Sequence, residues 1–282
     1  MVTEATLPNE PRSHYENVNK AFSKQSDLYD ADDQANPILL AWRKQVYKHI
    51  QQFLQPNKHI LELNAGTGID ACYFVEAGHR VHCVELSDGM VRQIQNKITR
   101  FGFQNKLTVQ QGSFENLNQV TGEFEYVFSD FGGLNCTDDL KKVTRHLPKL
   151  LKQGAMLTWV IMPPVCPWEI MWLLKGYFKQ GLRRFHKNGV MAHLEGEYFK
   201  TYYYSLSDVK KSLGENFKLV KCEGLGVLSP PPSAKDFINK HPKLYHQLTK
   251  WDEKVRSIFP FSRIGDHIIV TFRYEVKTVR NI

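Results

Sequence analysis

The sequence predicts an α/β fold in which helices flank a mostly parallel sheet. Between residues 58 and 162, short apolar runs alternate five times with amphipathic stretches, a pattern typical of parallel strands joined by helices. The 282 residues allow one large domain or a core with a small cap, and 42% hydrophobic residues suffice to build that core. A glycine-containing turn after the first apolar run indicates a helix N-terminus at the carboxyl edge of the sheet.

The predicted elements follow this alternation. The core strands are expected near residues 58–63, 80–85, 106–111, 124–129 and 154–161, and the core helices near 68–77, 87–101 and 138–151. Residues 14–54 are predicted to form helices. After residue 162 the pattern changes to a helix over 168–185 and a strand or hairpin over 190–204. A helix over 206–213 and strands over 216–223 and 266–274 then complete the core, with helical runs at 233–239 and 243–257 between those strands.

These elements predict a core interrupted by insertions. A disordered tail is expected over residues 1–12, and N-terminal helices over 13–55. The core is expected to comprise 56–162, 205–228 and 264–276, with cap insertions at 163–204 and 229–263. The N-terminal helices and the cap are predicted to cover the carboxyl edge of the sheet, where ligands of such folds bind.

The segment from residue 59 to residue 86 outlines a nucleotide-type cofactor site. Glu62 lies near the end of the first strand, a turn of small residues follows, and Glu85 ends the second strand. Glycines in the turn let the backbone approach a ligand, and the following helix presents free N–H groups. An acid in the position of Glu85 can accept hydrogen bonds from both hydroxyls of a ribose.

Two cofactors fit this outline. The run Gly66-Thr67-Gly68-Ile69-Asp70-Ala71 matches G-x-G-x-x-A, which is typical of dinucleotide sites. S-adenosylmethionine has no pyrophosphate, and the carboxylate of Glu62 can hold the ammonium of its methionine part, whereas it would repel phosphates. A tight strand-to-helix turn without any ligand is the third possibility.

Three later motifs give the segment 59–162 a resemblance to the Rossmann-like, class I S-adenosylmethionine-dependent methyltransferases. They are Gln110–Phe114 after the third strand, Ser129–Gly132 after the fourth, and Leu150–Met156 before the fifth. The wider pattern of NPILLAWRKQV, FGGLNC, CPWE and GDH resembles bacterial small-molecule members. The resemblance implies a seven-stranded, mostly parallel sheet with an antiparallel last strand and helical cap insertions.

The resemblance also implies a set of cofactor contacts. Related enzymes fold an A-F-x-x-x-S-x-x-Y-D segment over the cofactor, which makes Tyr29 a candidate contact; packing within its own helix is the alternative. The methionine part would be held by Glu62, Asn64, Gly66 and Gly68. The remaining candidates are the ribose acid Glu85, then Leu86, Met90, Gly112, Ser113 and Phe114 around the adenine, and Ser129 after the fourth strand.

Catalytic groups are weakly marked in a methyltransferase sequence, because alignment of the acceptor with the methyl group supplies most of the rate. Asp130 is a candidate base or substrate anchor, with loop capping as the alternative. In the Asp266-His267 pair, His267 is the candidate base for a phenol or carboxylic acid. Candidate substrate contacts are Phe131, Asn135, Trp168, Glu169 and Tyr203. Glu169 also fits the role of a favourable charge at a helix N-terminus.

Composition limits the compartment and the partners. The sequence lacks an apolar run of about 18 residues and an N-terminal apolar signal core, so a cytoplasmic protein without a transmembrane segment is expected. Five scattered cysteines indicate reduced thiols, and the histidine spacing predicts no metal site. The net charge of +8 is mostly dispersed, and its densest group, over residues 175–187, indicates either a peripheral membrane or partner helix or a solvated cap face.

We therefore expect an S-adenosylmethionine-dependent methyltransferase whose acceptor is a small, fairly hydrophobic molecule and whose cofactor product is S-adenosylhomocysteine. The alternatives are an RNA or other nucleic-acid methyltransferase, an NAD(P)-dependent reductase, and a ligand-binding protein without turnover. The absence of an N-P-P-Y motif after the fourth strand weakens the first alternative. The absence of a Tyr-x-x-x-Lys pair weakens the second.

Overall fold

The computed structural model describes residues 13–276, so the tail predicted over residues 1–12 lies outside the described residues. The strands are β1 (His59–Leu63), β2 (Arg80–Glu85), β3 (Leu107–Gln111), β4 (Phe124–Ser129), β5 (Leu151–Ile161), β6 (Val190–Leu194), β7 (Glu197–Thr201), β8 (Phe217–Leu225) and β9 (His267–Tyr274). The α-helices are α1 (His14–Ala35), α2 (Pro37–Ile50), α3 (Ile69–Glu76), α4 (Asp88–Phe101), α5 (Lys141–Thr144), α6 (Pro167–Ile170), α7 (Phe178–Leu182), α8 (Leu206–Leu213), α9 (Asp236–Lys240) and α10 (Pro242–Val255). Short 3-10 helices include Gly133–Cys136, Leu147–Lys149, Met171–Lys175 and Arg183–Phe185.

Seven of these strands form one sheet in the order β3-β2-β1-β4-β5-β9-β8, while β6 and β7 form a separate hairpin. The pairs among β1 to β5 are parallel, and β9 runs antiparallel to both β5 and β8. The predicted mostly parallel sheet with an antiparallel last strand is confirmed. Because β1, β2 and β4 run in the same direction, their carboxyl ends meet at one edge, where ligands of such sheets bind.

The two faces of the sheet are covered by separate hydrophobic clusters. Alternate residues of each strand point to opposite faces, so that Leu61 and Trp159 belong to one cluster and Ile60 and Val160 to the other. Helix α2 contributes Trp42 to the second cluster. Burial on both faces is what a parallel sheet requires, and it explains the continuous apolar runs in the sequence.

The helix predicted over 138–151 was wrong in extent. Only α5 and a 3-10 turn at Leu147–Lys149 are helical there, and β5 begins at Leu151. Pro148 has no N–H to donate and clashes with a preceding helical turn, so it limits the helix to these short pieces.

The helix predicted over 168–185 is also wrong, because the segment forms four short helical pieces. Gly176 takes a left-handed conformation, with φ at +80°, and ends the turn at Met171–Lys175. The chain then folds back so that Gly181 packs on Leu173, where a Cβ atom at Gly181 would lie 2.6 Å from the leucine side chain. The two glycines therefore divide the predicted amphipathic helix into short helical pieces that pack on each other.

Helix α1 lies across the carboxyl edge of the sheet and is held there from two sides. It packs on α4 at Gly89, where a Cβ atom would lie 2.7 Å from the Ser23 carbonyl oxygen. The Ser23 hydroxyl accepts the Gly89 N–H at 3.0 Å. On the other side Lys24 pairs with Glu197 of the β6–β7 hairpin at 2.8 Å. These contacts close a space above the carboxyl ends of the strands.

The second insertion is anchored to the core by a buried carboxylate. Asp252 of α10 accepts the N–H groups of Leu228 and Ser229 at 2.6 and 2.9 Å. Near the start of the same insertion, the Asn36 amide donates to the Pro232 carbonyl at 3.0 Å. These contacts are compatible with the predicted division of the chain into a core and two cap insertions. The division itself stays a prediction.

Candidate functional site

A cavity of about 250 Å³ lies at the carboxyl edge of the sheet, between the glycine turn and α1. It is lined by a mixture of backbone at the turn, acidic groups on one side and apolar side chains on the other. The residues predicted as site residues that line it are Tyr29, Asn64, Gly66, Glu85, Leu86, Met90, Phe114, Asp130 and Phe131. These predicted residues therefore lie around one cavity, and their role as cofactor contacts stays a prediction.

The turn after β1 exposes its backbone to this cavity. Gly66 has φ of +57°, and a Cβ atom there would meet nothing within 4 Å, so the backbone is open to a ligand. Gly68 serves packing instead, because its Cβ would lie 3.0 Å from Ile94 of α4. Asn64 also takes a left-handed conformation, with φ of +50°, which asparagine tolerates. Its side-chain oxygen accepts the Ser129 hydroxyl at 2.6 Å and so ties β1 to β4.

The carboxylate of Glu85 is held in place by backbone groups. Its two oxygens accept the N–H groups of Gly66 and Ser87, each at 2.9 Å. Burial raises the pKa of Glu85 to about 7, although these N–H groups oppose the shift. Each oxygen has a second lone pair, so the carboxylate can still accept the two hydroxyls of a ribose.

Opposite this turn, one arginine is surrounded by three buried acids. Arg43 of α2 donates to Asp33 and Asp70 at 2.6 Å each and lies 3.4 Å from Asp130. Its guanidinium also stacks over the Phe131 ring at 4.9 Å. Burial alone would lower the pKa of Arg43, but Asp70 and Asp130 raise it, so the guanidinium stays charged. Arg43 therefore links α1, α2, α3 and the loop after β4.

The site contains more carboxylates than its single arginine can neutralise. Burial, and then the charges of Asp70 and Asp130, raises the pKa of Glu62 well above its usual range. Burial and Asp70 raise the pKa of Asp130 in the same way. Glu62 lies in the sheet with the Cys83 thiol at 3.8 Å and does not line the cavity. This excess of acids favours a ligand that brings positive charge.

The rest of the cavity is apolar and comes from elements distant in sequence. Helix α1 contributes Val18 and Phe22, the hairpin contributes Ala192 and Phe199, and Cys136 lies between them. Sequence reasoning missed these residues because their convergence depends on how α1 and the hairpin fold over the sheet. It also missed Arg43 and Asp70, as well as Tyr15, Ala65, Thr67, Ile69, Gly132, Gly133, Met162 and Thr201, which line the same cavity.

A signal for Arg43 and Asp70 was present in the sequence. Arg43 stands within the NPILLAWRKQV motif, and Asp70 occupies a variable position of the glycine pattern. A basic residue on an otherwise apolar helix face requires a buried partner, and an acid in the first turn of α3 is a natural one.

His267 does not line the cavity. Its ring is buried against Trp42 and Phe131, and its Nε2 would lie 3.3 Å from a Cβ atom at Gly132. Its Nδ1 is 2.9 Å from Asp266, but not in line for a hydrogen bond. The structure thus places this candidate base behind the glycine loop that separates it from the cavity.

The Asn135 amide serves as a cross-link. Its nitrogen donates to the carbonyls of Met162 and Tyr202 at 3.0 and 2.6 Å, and its oxygen accepts the Met162 N–H at 2.9 Å. Both amide hydrogens are therefore used within the protein. This geometry corrects the expectation of a direct substrate contact, because the side chain joins the end of β5 to the hairpin.

The other candidates beyond the cavity lining have protein partners too. The Trp168 indole donates to the Leu228 carbonyl at 2.9 Å, which joins the first insertion to the last residue of the core segment before the second. The Ser113 hydroxyl accepts the Glu115 N–H at 3.2 Å and caps a turn, and the Gly112 N–H donates to the Glu85 carbonyl at 2.9 Å.

Glu169 and Tyr203 belong to a charged network in the cap. Arg184 is buried, donates to both Glu169 and Asp266 at 2.7 Å, and lies 5.1 Å from the Tyr203 ring. Cys166 lies close enough to these two acids to complete a metal-like cluster. Because Arg184 already supplies a cation to both carboxylates, the cluster has the chemistry of an ion-pair network that fastens the cap to β9.

Comparison with known proteins agrees with this geometry. Residues 60–154 match a family model described as a methyltransferase domain. This segment is therefore similar to methyltransferase domains, and the fold around it is that of the Rossmann-like methyltransferases. A search of curated proteins finds no significant match.

Solved methyltransferases share the fold of nearly the whole chain. The 1,6-didemethyltoxoflavin-N1-methyltransferase of Burkholderia thailandensis, solved with 1,6-didemethyltoxoflavin and S-adenosylhomocysteine, has a TM-score of 0.56 at 14% identity, over 97% of this chain and 94% of its own. The CcbJ methyltransferase of Streptomyces caelestis has a TM-score of 0.55 at 15% identity, over 91% and 98%. A Methanosarcina mazei methyltransferase has 0.56 at 14% identity, over 81% and 97%. At these identities the likeness is one of fold.

S-adenosylmethionine is the cofactor of this class of methyltransferase, and the cavity fits it on three counts. The open backbone at Gly66 leaves room for the ligand, and Glu85 has free lone pairs for ribose hydroxyls. The acids around Arg43 complement a ligand that carries both an ammonium and a sulfonium. A dinucleotide would instead bring the negative pyrophosphate to this acidic region.

Proposed function

We propose that this methyltransferase transfers a methyl group from S-adenosylmethionine to a small, fairly hydrophobic acceptor. The observation that carries the proposal is the apolar half of the cavity, formed by Val18, Phe22, Ala192 and Phe199. Concave sites with apolar walls and a few polar groups are typical of small-molecule binding. The proposal leaves the accepting atom open among oxygen, nitrogen and carbon.

In this proposal the cofactor lies along the glycine turn. Bound S-adenosylmethionine supplies an electrophilic methyl group on its sulfonium. Glu85 accepts the ribose hydroxyls, Leu86, Met90 and Phe114 surround the adenine, and Asp70 and Asp130 offset the positive charge. Helix α1, through Tyr29 and Phe22, excludes water from the reacting centre, which favours alignment of the acceptor.

Asp130 is the better placed of the two candidate bases. It lines the cavity beside Phe131, and burial together with the charge of Asp70 raises the pKa of its carboxyl, which makes it a stronger base than an exposed aspartate. His267 stays a second candidate, and it would need the Gly132 loop to move before it could reach an acceptor. For an acceptor that is already deprotonated, neither base is required.

Structural neighbours and charge support a small acceptor over the alternatives. The Burkholderia thailandensis neighbour acts on 1,6-didemethyltoxoflavin, a small molecule, by its own description. The acidic groups beside Arg43 disfavour the phosphates of RNA or of NAD(P)H close to the reacting centre.

No helix of the described part of the chain is long and apolar enough to cross a bilayer. We propose that the enzyme works in the cytoplasm, where its five free thiols would stay reduced.

A labelled-methyl assay tests the proposal. The protein is incubated with S-adenosylmethionine labelled in its methyl group, together with a panel of phenols, quinones, carboxylic acids and amines or with bulk RNA. We expect label in a small-molecule product and none in RNA. The variant Phe199→Asp should lose transfer while it retains S-adenosylhomocysteine binding, because it changes only the apolar half. Label in RNA alone would contradict the proposal.

A further inference from the structure

The cap carries a dense group of exposed apolar side chains that the methyl-transfer site does not use. It lies on the 3-10 turn Met171–Lys175, helix α7 and the turn Arg183–Phe185, which we term the cap patch. Leu174 is 85% exposed and Phe178 is 65% exposed. Met171, Trp172, Tyr177, Leu182 and Phe185 of the same segment are also exposed. Such concentrated apolar exposure indicates an interaction surface, because isolated exposed apolar residues are the normal case.

The charge of this segment is of one sign. No acidic residue occurs between Ile170 and Leu194, whereas the same stretch contains three lysines and two arginines. The lysines are exposed at positions 175, 179 and 187. Lysines beside apolar and aromatic side chains complement an anionic bilayer surface, where the charge meets lipid headgroups and the apolar groups enter the boundary below them.

The cap patch is held in a defined shape. Leu173 packs inward on Gly181, which leaves Leu174 directed to the exterior. The Trp172 ring packs edge-on against the Tyr177 ring, with 5.6 Å between their centroids. The Lys175 ammonium lies over the Trp172 ring, 5.1 Å from its centroid. Tryptophan and tyrosine with a nearby lysine are the side chains that favour the membrane interface.

The patch is also fastened to the catalytic core. Glu169 accepts hydrogen bonds from both Arg183 and Arg184, and Arg184 also donates to Asp266, the residue before β9. The chain then runs into the β6–β7 hairpin, whose Ala192 and Phe199 line the cavity. Docking through the patch would therefore hold the hairpin side of the methyltransferase close to the surface it binds.

We propose that the cap patch is a docking surface for anionic lipid bilayers, with Leu174 and Phe178 as the inserted side chains and Lys175, Lys179 and Lys187 as the charged contacts. The enzyme would then be a peripheral membrane protein. This inference concerns a surface outside the cavity and does not depend on the identity of the methyl acceptor.

Sedimentation with vesicles tests it. The whole protein is mixed with phosphatidylglycerol–phosphatidylcholine vesicles or with pure phosphatidylcholine vesicles, and the bound fraction is measured at low and high salt. We expect binding to the anionic vesicles only, with a loss at high salt. The double variant Leu174→Asp/Phe178→Asp should abolish it. Lys175→Gln/Lys179→Gln should weaken it by roughly fivefold for each lysine removed.

Matched controls keep the result specific. Leu28 is 66% exposed on α1, so Leu28→Asp tests one apolar residue away from the patch. Lys210→Gln/Lys211→Gln removes two exposed lysines from α8 and should bind like the wild type. Unchanged S-adenosylhomocysteine binding and thermal unfolding would show that each variant is folded.

Three results would overturn the proposal. They are failure of the wild type to bind anionic vesicles, equal binding by Leu174→Asp/Phe178→Asp, and self-association of the wild type that the same variant removes. The last result would assign the patch to a second copy of the chain. None of them would affect methyl transfer to a soluble acceptor, so the two proposals fail separately.

Discussion

At the scale of single residues, the site depends on buried carboxylates, whose ionised form solvent cannot stabilise. Glu85 is held by the Gly66 and Ser87 N–H groups, and Asp130 lies beside Arg43. Burial is the first cause of the raised pKa at both acids. The sequence predicted Glu85 because it ends a strand and Asp130 because it follows one, but the pairing of Arg43 with Asp70 depends on the packing of α2 against α3.

The pKa of about 7 at Glu85 predicts pH-dependent cofactor binding. Ribose hydroxyls donate to the ionised carboxylate, so affinity should be full above pH 7 and fall as the pH decreases through 7. Below pH 7 the affinity should fall by at most about tenfold for each pH unit. Calorimetric titration of S-adenosylhomocysteine between pH 6 and 8.5 measures this change. The variant Glu85→Gln should bind more weakly at pH 8 and show a flat profile; an equally steep profile would exclude Glu85 as its source.

Removal of the Arg43 charge should destabilise the protein. Arg43→Met leaves Asp33, Asp70 and Asp130 buried without their cation, and breaking such a buried network costs about 3–5 kcal/mol. Urea unfolding measures the loss. Arg92→Met is the control, because Arg92 is 60% exposed and lies 3.8 Å from Asp27, so its loss should be within about 1 kcal/mol. Similar effects of the two variants would show that the Arg43 network has no special role.

At the scale of elements, the alternation of strand and helix was well determined by sequence, whereas the cap was not. Strands β2 and β4 begin and end where their apolar runs do, since burial on both faces leaves little freedom in register. The segment after residue 162 has amphipathic spacing, yet the left-handed Gly176 and the close approach of Gly181 to Leu173 break it. The packing of a glycine against a neighbouring turn leaves no periodic pattern in the sequence.

The position of α1 over the cavity should control cofactor retention. Asp30 accepts the Thr67 hydroxyl at 2.5 Å and pairs with Lys97 at 2.6 Å, which fastens α1 to the glycine turn. Asp30→Asn should weaken S-adenosylhomocysteine binding by about fivefold, mainly through faster dissociation, since it removes roughly 1 kcal/mol of charged interaction. Stopped-flow displacement measures the rate. Asp32→Asn, at an exposed position of the same helix, should leave it unchanged.

A buried chain of hydrogen bonds joins α2 to the sheet. Thr271 bonds to His49 Nε2 and to Thr158, each at 2.7 Å, and Thr158 continues to Tyr126 at 2.6 Å. Burial lowers the pKa of His49, so its ring is neutral and its Nδ1–H donates to Glu223 at 2.6 Å. Every member of the chain then has a partner.

Thr271→Val should interrupt this chain and cost about 1–3 kcal/mol of unfolding free energy, because it leaves the buried His49 Nε2 without a partner and removes one of the two hydrogen bonds of Thr158. Thr108→Val on β3 is the control, since Thr108 is exposed. Denaturant unfolding of both variants measures the difference. A loss at Thr271 no larger than at Thr108 would show that the chain contributes little to stability.

At the scale of the whole molecule, charge is distributed unevenly. The chain has a net charge of +8, yet its cavity concentrates acids around a single arginine. The acids in the cavity, and not the positive net charge, distinguish a cofactor that carries an ammonium and a sulfonium from one that carries phosphates. The class I methyltransferase fold alone does not provide this distinction, because a shared fold supports many ligands.

The central claim is that this cavity binds S-adenosylmethionine and its product. Calorimetric titration of the purified protein with S-adenosylmethionine, S-adenosylhomocysteine and NADPH tests it most directly, with Glu85→Ala as the matched variant. We expect micromolar binding of the first two ligands, none of NADPH, and a large loss of affinity in Glu85→Ala. Binding of NADPH alone, or unchanged S-adenosylhomocysteine affinity in Glu85→Ala, would contradict the account.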